Sequence, residues 1–239
     1  MGAVFQSEYM VGFTFQNADI LVTELANRIG ESLEKSIVVH GWASLAVSGG
    51  STPKPLFKQL STLDIPWQDV FITLVDERWV DSTDAASNEQ LVRQCFLQNR
   101  AAVATFVGLK NPSPTAAQGE AQCEQELRKI PRPFTVLILG MGNDGHTASL
   151  FPGSAQLAAA TDMNSGKTCM AVTPADAPHE RMTLTLPAIL NTEELILHLT
   201  GSAKKEVLAK AQGAGPAEDM PVRFVLRQEE RPVLVYWAA

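Results

Sequence analysis

The sequence is short of several things, and each shortage narrows what the chain can do. Cysteine is scarce: Cys95, Cys123 and Cys169 are the only three, far apart and without C-x-x-C spacing. That odd, sparse set reads as reduced thiols in a reducing compartment and argues against a zinc cluster. Positive charge is outnumbered, with 19 Lys and Arg against 26 Asp and Glu, a net charge of −7 and a pI near 5.1. Neither nucleic acid nor an anionic membrane is an expected partner, because both select a basic face. A small anionic substrate stays open, since a few converging cations suffice locally. No apolar run approaches the roughly 20 residues of a membrane helix. The start, MGAVFQSEYMVGF, shows neither the basic nor the long apolar region of a signal peptide. Gln6 stands where a myristoylation pattern after Gly2 wants Ser or Thr. Tandem repeats, heptads and a low-complexity tail are absent too. The expectation is a soluble cytoplasmic protein, a monomer or weak homo-oligomer, with one domain over residues 1–239.

What is present is an alternation. The chain has 239 residues and 45% hydrophobic content, enough for the core of one large α/β unit. Leu21, Leu25, Ile29 and Leu33 mark one face of a helix over 17–35. A buried strand at 44–47 runs into a glycine turn and a helix from Pro53 to Leu60, capped by Ser51 or Thr52. Further strands are expected at 70–77, 134–140, 193–201 and 232–238, and helices at 87–98, 116–129 and 202–211. Short strands alternating with helices predict a doubly wound, mostly parallel sheet with helices on both faces. In such sheets ligands sit beyond the carboxyl ends of the strands. Every chemically interesting segment here falls just after a strand.

The first is 48-SGGSTP-53. Its backbone N–H groups, at a helix start, suit one anion, and Ser48, Ser51 and Thr52 add hydroxyls beside Gly49 and Gly50. It is neither a Walker loop nor G-x-G-x-x-G, so a nucleotide is not indicated. Taken alone, it is equally an ordinary strand–helix turn. The second is 76-DERWVD-81, where Asp76, Glu77 and Arg78 end a strand. Arginine offers a planar fork for phosphate or carboxylate, but a surface ion-pair cluster fits as well. Asn88 and Glu89 are placed to fold back onto it. The third, 139-LGMGNDGHTASLFPGS-154, combines a strand end, glycines, Asp144 and His146, then a TAS run expected to open a helix. Imidazole titrates near neutrality and takes a proton from water at cytoplasmic pH, so a catalytic role outweighs helix capping. Arg181 and Lys204 follow strand-like or loop segments, and each alone reads as a surface charge. His40 and His198 read as structural, and His179 as a loop residue within reach of the site.

Together, 46-AVSGGSTP-53, 75-VDERWVD-81 with 87-SNE-89, and 140-GMGNDGHTASLFPG-153 resemble the 6-phosphogluconolactonases, over roughly Ala3 to Trp237. Arg181 in RMTLTLPAIL and Lys204 in GSAKKEVL fall where that family places them. The resemblance implies a Rossmann-like fold, shared with sugar-phosphate isomerases, and hydrolysis of 6-phosphogluconolactone to 6-phosphogluconate in the pentose phosphate pathway. It implies no organic cofactor and no metal. It makes His146 the general base toward the attacking water, oriented or tuned by Asp144, with glycine-loop N–H groups steadying the oxyanion. Residues 49–52, Arg78, Arg181 and Lys204 would hold the phosphate, with Ser48 and Asp76 in the same binding set. A sugar lactone is an activated ester, so one base worth about 10²–10⁴-fold, plus positioning, suffices.

Three rivals remain at this stage. Glucosamine-6-phosphate deaminases share the architecture but continue the D-G-H string to an acidic residue where this chain has Phe151, and carry an aromatic residue where it has Arg78. A serine hydrolase would use 46-AVSGG-50 as a nucleophile elbow, with Ser48, Asp76 or Asp144, and His146 in order, but Ala46 replaces the first glycine. A non-catalytic sugar-phosphate sensor would be expected to have lost its base.

Overall fold

The computed structural model describes residues 4–7 and 9–239. Gly2 and Ala3, named in the myristoylation and resemblance readings above, lie outside them. The chain opens with β1 (Val4–Ser7) and β2 (Met10–Phe15), then α1 (Ala18–His40), β3 (Ala43–Val47), α2 (Lys54–Leu60) and β4 (Val70–Leu74). Next come β5 (Asp76–Arg78), α3 (Asn88–Cys95), β6 (Thr105–Val107), α4 (Ala116–Leu127), β7 (Phe134–Leu139) and α5 (Leu157–Thr161). The last part holds β8 (Cys169–Val172), β9 (Arg181–Leu184), α6 (Leu186–Leu190), β10 (Thr192–Thr200), α7 (Ser202–Gln212), α8 (Val222–Leu226) and β11 (Val233–Ala238).

Among the described residues, eight strands form the main sheet in the order β1-β2-β11-β10-β7-β3-β4-β6, and of these only β1 runs antiparallel to its neighbour. From β2 the chain crosses through α1 to β3 and onward to β4 and β6, always toward one edge. From β7 it steps to β10 and β11, toward the other. Right-handed crossovers in opposite directions place their helices on opposite faces, so this is a doubly wound, Rossmann-like α/β fold. The reversal falls between the adjacent strands β3 and β7. At their carboxyl ends stand the SGGST and GMGNDGH segments.

The strands are buried because their sequences are apolar on both faces. β7, FTVLIL, is buried at all six positions, and β3, ASLAV, at all five. Helix α1 turns Leu21, Leu25, Ile29 and Leu33 fully inward, each burial contributing about 1.5–3 kcal/mol. The side chain of Asn17 accepts from the Ile20 N–H at 2.9 Å to start it. It ends only at Gly41, φ 79°, whose N–H returns to Ile37 O. The helix thus outruns the expected end at 35, because IVVH continues it despite its strand-like composition.

Three local expectations need correction. Residues 70–77 are not one strand. The Val75 N–H bonds Val47 O in the main sheet, while its C=O accepts from Leu184 N in a second, antiparallel sheet, β5-β9-β8. Helix α2 has Pro53 as its cap residue with no side-chain capping bond, so Ser51 and Thr52 are not caps. The TAS run opens no helix. Thr147 bridges Leu150, and Ala148 between them takes a left-handed φ of 48°.

Candidate active site

A cavity of about 280 Å³ lies at the switch point. Residues 48–53 form one wall, Asp76, Arg78 and Asn88 a second, and 138–142 with His146–Ala148 a third. Thr200 and Lys204 close it.

His146 sits on a tight turn. Its Nδ1 is 2.6 Å from Asp144 Oδ1, which also accepts the His146 backbone N–H at 3.1 Å. With Nδ1–H donated to the carboxylate, Nε2 carries the lone pair and can accept a proton. Burial alone would raise the Asp144 pKa, but the His146 N–H and imidazole outweigh it and hold the carboxyl below its usual value. Gly142 is needed for this fold-back, because a Cβ there would lie 2.1 Å from Nδ1. The Phe151 ring packs on the imidazole with centroids 4.5 Å apart.

On the facing wall, the N–H groups of Gly49, Gly50, Ser51 and Thr52 have no acceptor among the described residues. Gly50 adopts φ 97°, which aligns successive amides. Gly49 is kept small by Asn88, whose Oδ1 a Cβ would meet at 1.9 Å. Ser48 does something different. Its Oγ donates to Ile138 O and accepts from Gly140 N–H, both at 3.0 Å, stitching the two loops together. The hydroxyl has no contact with His146, which removes the serine-nucleophile arrangement. The glycine N–H groups beside His146 are also committed: Gly140 to Ser48 Oγ, Gly142 to His146 O and Gly145 to Gly142 O.

The cations converge unevenly. Arg78 lines the cavity and donates to Ala86 O at 2.7 Å. Lys204 lines it too, with Nζ on Asn143 Oδ1 at 2.7 Å, and burial lowers its pKa. Arg181 does not line the cavity. It pairs opposite Arg78 in the β5–β9 register, 6% exposed, with Nε and Nη1 unpartnered. Asp76 lines the cavity and accepts from Ser149 Oγ at 2.7 Å. Among the described residues no cluster of His, Cys, Asp and Glu is assembled that could hold a metal ion, and no helix is long and apolar enough to cross a membrane.

The sequence of residues 16–235 matches the family described as glucosamine-6-phosphate isomerases/6-phosphogluconolactonase. The chain belongs to this family. The 6-phosphogluconolactonase of Rhizobium meliloti is 41% identical over 224 residues, covering 94% of this chain and 97% of that one. That of Neisseria meningitidis is 37% identical over 94% of this chain and 97% of its own. A crystal structure of a 6-phosphogluconolactonase from Shewanella baltica superposes with a TM-score of 0.94 at 46% identity, covering 99% of this chain and all of that one. A monomeric glucosamine-6-phosphate deaminase, 18% identical, shares the fold at a TM-score of 0.79 over 95% of this chain and 96% of its own.

Within this member of the family, sequence reasoning missed two site residues and half-saw a third. Asn143 bonds Lys204, and Thr200 faces Thr52 with hydroxyls 3.4 Å apart. Asn88 does fold back as anticipated, its Nδ2 donating to Asp76 O at 2.9 Å. Glu77 emerges as the organiser of this corner. Fully buried, it accepts from the N–H groups of Arg78, Asn88 and Glu89 and from Ser87 Oγ at 2.7–3.0 Å. Burial pushes its pKa up, against those four donors. The signal was an acid directly after a strand, paired with the helix-starting SNE. His198, read as structural, is buried in β10 but also lines the cavity, whereas His40 and His179 are exposed and do not.

Proposed function

We propose that the chain hydrolyses 6-phosphogluconolactone to 6-phosphogluconate, without cofactor or metal. One observation carries the reading: an Asp144-oriented imidazole and an amide-and-cation cradle line one cavity. Nε2 of His146 takes a proton from water as its oxygen attacks the lactone carbonyl carbon. The carbonyl π electrons move onto oxygen, and on collapse the ring C–O bond breaks. The departing alkoxide takes a proton from the imidazolium, leaving a carboxylic acid that ionises. Asp144 holds the tautomer and stabilises the transient imidazolium. At the other end, the amides of residues 49–52 with the Ser51 and Thr52 hydroxyls, Arg78 and Lys204 bind the phosphate, and Arg181 adds its charge from the strand paired with Arg78. Asp76 is positioned for a sugar hydroxyl. Because Gly140, Gly142 and Gly145 already donate internally, the developing oxyanion is assigned to other donors of the cavity wall.

The cytoplasm, where sugar phosphates are turned over, is the proposed setting. The deaminase alternative is disfavoured by Phe151, an apolar ring against His146 where that chemistry uses an acid. The deciding assay supplies freshly generated lactone and couples 6-phosphogluconate to its dehydrogenase, with glucosamine 6-phosphate run in parallel. Turnover above spontaneous hydrolysis with no ammonia release is expected. Ammonia release, or no acceleration of the lactone, overturns the assignment.

A further inference from the structure

The turn that carries His146 is gripped at two points, one on the cavity wall and one behind it. Lys204, in the first turn of α7, bonds Asn143. Beyond the far end of α7, the Val222 N–H donates to Gly145 O at 2.8 Å. Met220 packs so tightly there that a Cβ on Gly145 would lie 2.7 Å from its own Cβ. One buried cation joins these features. Arg223, 6% exposed, has no ion-pair partner among the described residues. Its Nη2 donates to Lys210 O and Ala214 O at 3.0 Å, its Nη1 to Pro216 O at 2.8 Å and its Nε to Ala211 O at 3.2 Å. The guanidinium thus neutralises the carbonyl end of α7, where partial negative charge collects, and pins the loop that follows. Arg227 adds bonds to Gly213 and Gly215 at 2.8 and 2.7 Å. Helix α7, its trailing loop and the start of α8 form one brace, with both ends on the turn at 143–145.

We infer that Arg223 is a positioning residue for His146, acting through Met220 and Val222 on Gly145. The inference rests on the general-base reading above. Arg223 does not line the cavity, its bonds hold the far end of α7 rather than the first turn that carries Lys204, and the amide cradle stands on the loop after β3, so losing Arg223 releases Gly145 and the base while the amide cradle keeps its place. A misplacement of about 1 Å near the chemistry costs up to about 10²-fold in rate.

The test compares wild type with Arg223→Met, Arg223→Lys and Met220→Ala. It reads kcat on fresh lactone, the Kd of 6-phosphogluconate by calorimetry, and the His146 imidazole NMR signals. Arg223→Met is expected to lower kcat by about 10–100-fold with Kd held within about twofold and the imidazole signals moved. Lysine keeps the charge but not the fork, and restores part of the rate. Met220→Ala, half-buried and tolerant of trimming, moves the same readouts less. Unchanged kcat in folded Arg223→Met, or a Kd that rises in step with the fall in kcat, overturns the inference. If Arg223→Met does not fold, Met220→Ala decides, and wild-type kcat there overturns it. An inert wild type would sink the lactonase reading instead, and unmoved imidazole signals in both variants would then sink this one.

Discussion

Arg78 and Arg181 stand directly opposite one another across the β5–β9 ladder, two cations where paired strands ordinarily avoid like charge. Burial, and then Arg78 itself, hold the Arg181 guanidinium below its ordinary value, opposed by Asp76 and Glu77. With Nε and Nη1 unpartnered, Arg181 carries buried donors that nothing among the described residues satisfies.

Arg181→Met should therefore stabilise the free protein by about 1–3 kcal/mol, the usual cost of buried unsatisfied donors. It should also shrink the stabilisation by 6-phosphogluconate, about 2.7 kcal/mol for wild type at 100 times Kd. Thermal melts with and without ligand check both. A lower melting temperature for the ligand-free variant would show the arginine to be structurally required.

Glu77→Ala removes the acceptor for four buried or part-buried donors, three at the start of α3 and one, the Arg78 N–H, on β5. A loss of at least about 3 kcal/mol is expected in urea unfolding, at about 1–3 kcal/mol per stranded donor. A loss below about 1 kcal/mol would mean that water replaces the carboxylate without difficulty.

His198 lies buried in β10 with neither ring nitrogen bonded, and burial pulls its pKa down to about 4. The unfolded chain takes up this proton first, near pH 6.5. This residue's contribution is thus complete above pH 6.5, is lost as pH falls, and levels off below about 4, a span of roughly 3 kcal/mol. His198→Leu should flatten that part of the stability–pH curve and raise stability at neutral pH. An unchanged slope between pH 6.5 and 4 would contradict it.

Ser48→Ala breaks the stitch between Ile138 O and Gly140 N–H but touches no proton in the reaction. Stability should fall by about 1 kcal/mol and kcat by less than about tenfold, well short of the 10²–10⁴ of a general base. Complete loss, with an acyl-enzyme burst in wild type, would restore the nucleophile reading.

Much of this architecture was legible because β3, β7, β10 and β11 are largely apolar and the first three lead into a glycine or polar turn. The site loops were legible for the same reason. What escaped depends on partners far along the chain. Nothing local in FITLVDER shows that Val75 changes sheets, because the cause is Leu184, over a hundred residues away. Nor does TAS reveal its turn, since Ser149 is drawn to Asp76 and Thr183, and Thr147 Oγ1 to Gly140 O. Arg181 was expected among the phosphate ligands, yet it does not line the cavity, and its place opposite Arg78 follows from strand register alone.

The central claim is that His146 moves the proton while a separate cradle holds the anion. The most direct measurement is kcat on freshly generated 6-phosphogluconolactone for His146→Asn, alongside its Kd for 6-phosphogluconate. The account predicts kcat reduced by about 10²–10⁴-fold with Kd near that of wild type. Near-wild-type turnover in His146→Asn would contradict it.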